Sequence, residues 1–127
     1  MHDKKIAHLD LRPETLLLHD DRLRIADFGQ SRRLIRGKIM ADIVGAPEFV
    51  SPEIAAGHPI TLASDMWSVG TLTYVLLSGC SPFLGDNDQE TLRNVMTGKY
   101  SLEIPEFEAV SSDAKDFLSK LLVLEPT

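Results

Sequence analysis

A continuous apolar run over residues 64–78 limits the possible folds more than any other stretch of this sequence. The run, SDMWSVGTLTYVLLS, contains one charged residue and is followed by Gly79, a residue that commonly ends a helix. A helix that is apolar on every face has to be covered on every face, so we predict a buried central helix here. Gly70, Thr71 and Thr73 interrupt the run, and it therefore does not predict a membrane span.

The flanking segments predict a mainly helical domain with one small β-hairpin. Two short apolar runs, 16–18 and 23–26, enclose the acidic stretch 19–22, which is typical of a hairpin with an exposed turn. Residues 30–50 show little periodicity and are predicted to form a long loop. Three further helices are predicted, over 52–56 with Ser51 as the cap, over 88–97 with Gly98 as the stop, and over 112–124.

The composition limits the classes of binding partner and the cellular compartment that we expect. A chain of 127 residues, 43% of them apolar, is large enough to bury a core of its own. The net charge of −6 argues against a nucleic-acid partner, because phosphate binding needs a basic surface. The single Cys80 excludes an internal disulfide and suits a reducing compartment. Arg32, Arg33, Arg36 and Lys38 form a basic group that we interpret as a solvated face of the loop, with peptide or partner binding as the alternative.

Three short motifs precede the central helix. The first is His8-Leu9-Asp10-Leu11-Arg12-Pro13-Glu14-Thr15, the second is Asp27-Phe28-Gly29, and the third is Ser51-Pro52-Glu53. The predicted hairpin lies between the first two, and a hairpin reverses the direction of the chain. We therefore expect Asp27 to return towards Asp10, so that the two carboxylates form one site.

In this order and at these spacings, the motifs resemble the catalytic loop, metal-binding loop and activation-segment end of a protein kinase. Two later segments agree, since 64–70 resembles the start of the family's central helix and Ser81-Pro82-Phe83 resembles the segment after it. The resemblance covers essentially the whole chain and implies the C-terminal lobe of the protein kinase-like fold (α+β), truncated. Segments 8–10, 45–53 and 77–79 resemble the calmodulin-dependent group, namely the myosin light-chain kinase, titin, obscurin, Trio and death-associated kinases.

The resemblance implies a role for each motif residue. Asp10 would orient the substrate hydroxyl, Arg12 would touch the transferred phosphate, and Asp27 would hold magnesium against the phosphates of ATP. Thr15 would be a second, weaker ligand of nucleotide and metal, because it stands where the family has an asparagine. The structural residues would be His8, Phe28, Gly29, Glu53 and Asp65, of which Asp65 braces the backbone of the catalytic loop.

Several positions depart from the family pattern. Arg12 keeps the charge of the usual lysine but not its compact shape. Ala46 stands where serine/threonine kinases have a threonine that bonds the catalytic aspartate, and losing that bond costs about 1.5–3 kcal/mol, or roughly one to two decades of rate. Leu9 replaces the arginine that receives a loop phosphate in other kinases, and Ser31 is the only hydroxyl residue between 30 and 50. We therefore predict that this loop is not a phosphorylation switch.

The family's N-terminal lobe has no counterpart in this sequence, which lacks the glycine-rich loop, the strand lysine and the glutamate helix. Because a catalytic-type motif follows Met1 so soon, we expect no leader or upstream domain in this chain. Residues 1–127 are thus expected to be a partial kinase domain, inactive alone. The family pairs Glu53 with an arginine that would follow Thr127, which leaves Glu53 without its ion partner.

Three functions remain open at this point. In the first, the complete protein that contains this segment is an active serine/threonine kinase that uses ATP and Mg²⁺. In the second, that protein is a degenerate pseudokinase that acts as a scaffold for partners. In the third, the chain is itself an interaction module. The expected partner is a protein, as substrate or ligand, with calmodulin acting through a tail absent from this chain and with no nucleic acid or membrane. The expected location is cytoplasmic, cytoskeletal or sarcomeric.

Overall fold

The computed structural model describes residues 1–35, 38–44 and 46–125, so that Arg36 of the basic group and Gly45 lie outside the described residues. The strands are β1 Ile6–Ala7, β2 Leu16–His19, β3 Arg22–Ile25 and β4 Arg32–Arg33, and the helices are α1 Pro52–Ala55, α2 Ala63–Ser78, α3 Asp88–Thr97 and α4 Ser112–Leu121. Single 3-10 turns lie at His2–Lys4, Pro13–Thr15, Pro47–Phe49 and Pro105–Phe107. The predicted architecture, mainly helical with one hairpin, is confirmed.

Helix α2 is the predicted central helix. It begins one residue before the predicted start and ends at Gly79, whose φ of 72° is the left-handed value that glycine adopts without strain. Its main contacts are with α4 and with the turns at Pro47–Phe49 and Pro105–Phe107. Met66, Leu76 and Leu77 remain exposed, so the prediction of burial on every face is wrong for one face. The physical reason is that these contacts cover only part of the helix surface.

Aromatic side chains connect α2 to the segments around it. Trp67 stacks on Phe83 with ring centroids 5.3 Å apart, and Tyr74 meets the edge of Phe107 at 4.7 Å. Both α2 aromatics are at most 3% exposed, which confirms their prediction as core residues. Such pairs contribute about 0.5–1.5 kcal/mol each beyond the burial of their area. The core therefore holds α2 in place at the centre of the domain.

Helix α4 packs closely against α2 but is shorter than predicted. A Cβ atom on Gly70 of α2 would lie 2.9 Å from Leu121 Cβ and from Leu122 Cδ2, so only glycine allows this approach. The helix ends at Leu121 instead of 124, and Phe117, predicted on its apolar face, is 47% exposed. Leu118 and Leu122, four residues apart, are the side chains of this segment that are buried in the core, and Phe117 precedes Leu118 by about 100° around the helix, away from that contact.

The helix ends and caps are partly those predicted. Helix α3 has the predicted bounds, with the Asn87 side chain accepting the Glu90 N–H at 2.8 Å and Gly98 in the left-handed conformation at its end. Ser51 precedes α1, as predicted, but its buried hydroxyl has no hydrogen-bond partner among the described residues, so the predicted cap bond is wrong. Helix α1 is a single turn, and its burial, not a cap, keeps it in place.

The hairpin is the predicted one, with Leu16 opposite Ile25 and His19 opposite Arg22. Asp20 and Asp21 form its two-residue turn with φ values of 50° and 59°, which matches the twist of paired strands. A second antiparallel pair, β1 with β4, was not predicted from the sequence. Strands of two residues show no periodicity, and this pair ties the first motif to the start of the long loop.

Candidate active site

The carboxylate of Asp65 holds the backbone of the first motif. Its two oxygens accept the N–H groups of His8 at 2.7 Å and Leu9 at 2.8 Å, and His2 Nε2 lies 2.8 Å from Oδ2. Leu9 has a φ of 69°, and a left-handed conformation costs a residue with a Cβ about 1–2 kcal/mol. Asp65 is 2% exposed at the start of α2, so the buried helix positions the loop that carries Asp10.

His8 connects the first motif with the second. Its Nε2 donates to the Ala26 carbonyl at 2.9 Å, and its Nδ1 accepts the Asp10 N–H at 3.1 Å, which together define a neutral imidazole with the proton on Nε2. The ring also meets the edge of Phe28 at 5.2 Å. Because Ala26 immediately precedes Asp27, this one buried side chain brings the two carboxylate motifs together, as the hairpin predicted.

Asp10 forms an ion pair that sequence reasoning missed. Arg12 Nε donates to Asp10 Oδ1 at 3.0 Å, and Arg12 Nη1 lies 3.5 Å from the exposed carboxylate of Glu14. The side chain of Asp10 is only 8% exposed, whereas that of Arg12 is 29% exposed. Asp10 and Arg12 line a cleft together with Ala46 of the long loop. A hydroxyl group that enters this cleft meets a carboxylate acceptor next to a fixed positive charge.

Thr15 lies beneath the same loop, at the end of the turn Pro13–Thr15. Its hydroxyl is 3.0 Å from the Asp10 carbonyl and 3.0 Å from the Arg12 carbonyl, and it accepts the Arg12 N–H at 3.2 Å. The residue is 1% exposed. Its own carbonyl accepts the Ala26 N–H at 2.8 Å, which adds a second bond between the catalytic-type loop and the segment before Asp27.

Asp27 is the exposed carboxylate of the site. It has a φ of 59°, and the one hydrogen bond of its carboxylate within the described residues is a long contact of 3.4 Å between Oδ1 and the Gly29 N–H. The described residues contain no group of three or more histidine, cysteine or acidic side chains that could hold a metal ion by themselves. Magnesium, however, commonly takes one or two carboxylates and completes its shell with water and substrate phosphates. The accessible carboxylate of Asp27 fits that type of site.

Glu53 lies apart from the cleft that contains Asp10. Its Oε1 accepts a short hydrogen bond from the Ser64 hydroxyl, next to Asp65 at the start of α2. No lysine, arginine or histidine forms an ion pair with Glu53 among the described residues. Glu53 therefore connects α1 with α2 through a hydrogen bond that the sequence did not predict.

The long loop is anchored by apolar side chains. Val50, Ile54 and Ile60 are buried, and the partly buried residues packed against them include Leu9, Leu34 and Ile39; we call these six residues the Leu9 cluster. The Ile60 N–H also donates to the Ile39 carbonyl at 2.8 Å. Leucine at the position of the usual arginine was the only sequence signal for this cluster. Its partners in the loop lie at spacings without a period and could not be found from the sequence.

The family model of the protein kinase domain matches residues 1–127. The chain belongs to the protein kinase family. It is 61% identical to the muscle M-line assembly protein unc-89 of Caenorhabditis elegans over 99% of this chain and 2% of that protein. It is 46% identical to serine/threonine-protein kinase 17A of Oryctolagus cuniculus over 99% of this chain and 33% of that kinase.

The fold agrees with that assignment. The solved twitchin kinase region of C. elegans superposes with a TM-score of 0.91 at 43% identity, covering 99% of this chain and 23% of that one. Relatives also include death-associated protein kinase 2, a myosin light chain kinase family member and a titin homolog, so the group predicted from the sequence is confirmed. The chain spans a third or less of the relatives and the solved chain compared above. None of the described helices is long and apolar enough to cross a membrane.

Proposed function

We propose that residues 1–127 are the C-terminal lobe of a serine/threonine kinase domain, and that the complete domain transfers the γ-phosphate of ATP to protein hydroxyls. The observation that carries the proposal is the link through His8, which joins the backbone of Asp10 to the carbonyl that precedes Asp27. In the segments joined in this way, the Asp10 side chain is 8% exposed and Asp27 is exposed. This arrangement supports Asp10 as the residue that orients the hydroxyl and Asp27 as the metal ligand. The serine/threonine kinase among the relatives supports this chemistry.

Each residue of the cleft has a defined task in this proposal. Asp10 accepts the proton of the substrate hydroxyl while the hydroxyl oxygen of the substrate bonds to the γ-phosphorus. The bond between the γ-phosphorus and the oxygen that leaves with ADP breaks in the same step. Arg12, held 3.0 Å from Asp10, brings positive charge to the transferred group. Asp27 would hold a magnesium ion, which would offset the negative charge of the ATP phosphates. His8, Phe28 and the other structural residues maintain this arrangement.

The isolated chain is expected to be inactive. The hairpin beside the site exposes its apolar side chains, of which Leu17 is 54% and Ile25 43% exposed, and Phe28 next to Asp27 is 51% exposed. A nucleotide placed here would be covered on one side only, and its phosphates would lack the glycine-rich loop and strand lysine of the family. ATP and Mg²⁺ are therefore proposed as ligands of the complete domain alone.

A second function, that of a pseudokinase scaffold, is favoured by specific observations. Ala46 lines the cleft of Asp10 without a hydroxyl, and the Thr15 hydroxyl is engaged with the backbone. In that case the same fold would bind a protein partner without turnover. In either case we propose a cytoplasmic, sarcomeric or cytoskeletal location, supported by the name of the muscle M-line relative. Control by calmodulin through a further segment is also a proposal.

The test is phosphate transfer from Mg-ATP to a mixed peptide library by the complete domain, with Asp10→Ala as the blank. Asp86→Ala, an exposed carboxylate outside the cleft, is the matched control. We expect transfer that is lost in Asp10→Ala and unchanged in Asp86→Ala. Equal background signal from all three proteins would reject the kinase proposal and favour the scaffold, and a Thr15→Asn, Ala46→Thr double variant would then be tested for regained transfer.

A further inference from the structure

We infer that the site binds one divalent cation, through Asp27, and that Thr15 is a positioning residue of the catalytic loop instead of a ligand for a second cation. The cation half of this inference rests on the proposed function. The positioning half rests on hydrogen bonds and burial alone.

The hydrogen bonds of Thr15 leave little capacity for a metal. A hydroxyl has one proton and two lone pairs. The proton has two carbonyl acceptors within 3.0 Å, those of Asp10 and Arg12, and one lone pair accepts the Arg12 N–H at 3.2 Å. A single lone pair therefore remains. This lone pair could bind a cation only if the ion came within bonding distance of the hydroxyl while the hydrogen bonds to the backbone stayed in place.

Burial excludes that approach. Thr15 is 1% exposed, and its hydroxyl lies among backbone atoms of the loop. Magnesium holds its water strongly and requires near-octahedral ligands at about 2.0–2.1 Å. A hydrated ion cannot reach a side chain covered in this way unless the turn Pro13–Thr15 opens. Asp27, in contrast, is exposed, and among the described residues its carboxylate has one long contact, with the Gly29 N–H.

Side-chain chemistry explains why an asparagine would differ. An asparagine amide has separate donor and acceptor atoms, so its NH₂ group can bond a backbone carbonyl while its oxygen binds an ion. Threonine has one oxygen for both tasks, on a shorter side chain. In this structure that oxygen forms hydrogen bonds with the backbone of the catalytic loop. With threonine at this position, the hydrogen bond to the Asp10 carbonyl is present, and no side-chain oxygen is left to bind a second cation.

The bonds of Thr15 act on Asp10 and Arg12, the two residues that line the cleft. The Thr15 hydroxyl fixes the Asp10 carbonyl and both the N–H and carbonyl of Arg12. Those backbone positions determine whether Arg12 Nε can reach Asp10 Oδ1 at 3.0 Å. Thr15 thus affects catalysis through the placement of Asp10 and Arg12, without touching the substrate.

The cation half is tested by counting Mn²⁺ ions, by electron paramagnetic resonance, on the complete domain saturated with a non-hydrolysable ATP analogue. We expect one ion in wild type and in Thr15→Val, a second ion in Thr15→Asn, and affinity reduced about tenfold or more in Asp27→Asn. Two ions in wild type, or weaker binding in Thr15→Val, would overturn the inference. A domain that binds no analogue would reject this half together with the proposed function.

The positioning half is tested without metal, by urea unfolding of the 127-residue chain in EDTA. Thr15→Val removes the hydroxyl at constant shape and should lower the folding equilibrium constant about 5- to 30-fold, whereas Thr15→Ser should restore most of it. Thr97→Val, which removes an exposed hydroxyl, is the matched control. An unchanged equilibrium constant in Thr15→Val would refute the positioning role whatever the ion count.

In the complete domain the positioning role predicts a separation of kinetic constants. Thr15→Val should lower kcat about tenfold, because Asp10 and Arg12 are misplaced, while KM for Mg-ATP stays within about twofold. Thr15→Ser should recover kcat. A raised KM with unchanged kcat would indicate a lost nucleotide or metal ligand and would contradict the inference. Absence of transfer in the wild-type domain would reject the proposed kinase function but leave the unfolding result valid.

Discussion

Replacing Asp65 by alanine should destabilise the chain more than any other single carboxylate substitution. The change removes the acceptor of the His8 and Leu9 N–H groups, which are bonded at 2.7 and 2.8 Å. Each buried donor left without a partner costs about 1–3 kcal/mol. The left-handed backbone of Leu9, with a φ of 69°, also loses the bond that offsets its strain. The bond to His2 adds little, because that ring is 36% exposed.

These contributions give an expected loss of about 3–5 kcal/mol for Asp65→Ala, a large part of the roughly 5–15 kcal/mol by which domains are stable. Asp65→Asn keeps one carbonyl oxygen, can accept one of the two N–H groups, and should cost about half as much. For a chain of 127 residues, the alanine change corresponds to a fall in melting temperature of about 10–20 °C.

The assay is urea unfolding followed by the fluorescence of Trp67, the single tryptophan, which is 2% exposed in the folded chain. Asp86→Ala is the control, since Asp86 is exposed. Hydrogen exchange at the Leu9 amide gives a local measure and should accelerate in Asp65→Ala. A free energy of unfolding for Asp65→Ala within about 1 kcal/mol of the control would refute the argument that Asp65 holds the loop.

Two further predictions concern the core. Gly70→Ala gains about 1 kcal/mol of helix propensity but places a Cβ 2.9 Å from Leu121 and Leu122, so the urea midpoint of unfolding should fall. Leu76→Ala, on the exposed face of α2, is the control and should change the midpoint little. A raised midpoint for Gly70→Ala would contradict the close approach of α4. Burial raises the pKa of Tyr74 above its usual value of 10.0, so the unfolded chain loses this proton first, and the contribution of Tyr74 to stability should be constant up to about pH 10 and fall above it. Tyr74→Phe should lose about 1 kcal/mol near neutral pH with the bond to the Ser101 carbonyl, yet show a shallower alkaline decline in urea unfolding, and an equal decline would count against this assignment.

The elements that could be predicted from the sequence are those with local signals. Helix α2 is predictable from its apolar run and from Gly79 after it, and helix α3, which is more polar, from Gly98 at its end. The hairpin is predictable because its acidic turn separates two apolar runs. The end of α4 could not be found, since Val123 and Leu124 continue the apolar pattern beyond the last helical residue. Tertiary contact with Gly70, not periodicity, decides which of its side chains are buried.

The site could be predicted at the level of motifs. Asp10 and Asp27 were expected to meet because a hairpin separates them, and His8 lies between their segments. The ion pair of Asp10 with Arg12 and the buried bonds of Thr15 were not predicted, because both depend on side-chain rotamers and on backbone positions within the turn. A motif defines which residue types are near each other but not which hydrogen bonds they use.

The Leu9 cluster has a consequence for how temperature and salt act on the long loop. Contacts between exposed charges weaken as ionic strength rises, whereas contacts between apolar side chains do not. Apolar burial instead weakens on cooling. Because Leu34 and Ile39 attach the loop through Leu9 and the buried residues beside it, high salt should leave the loop attached, and cold should loosen it.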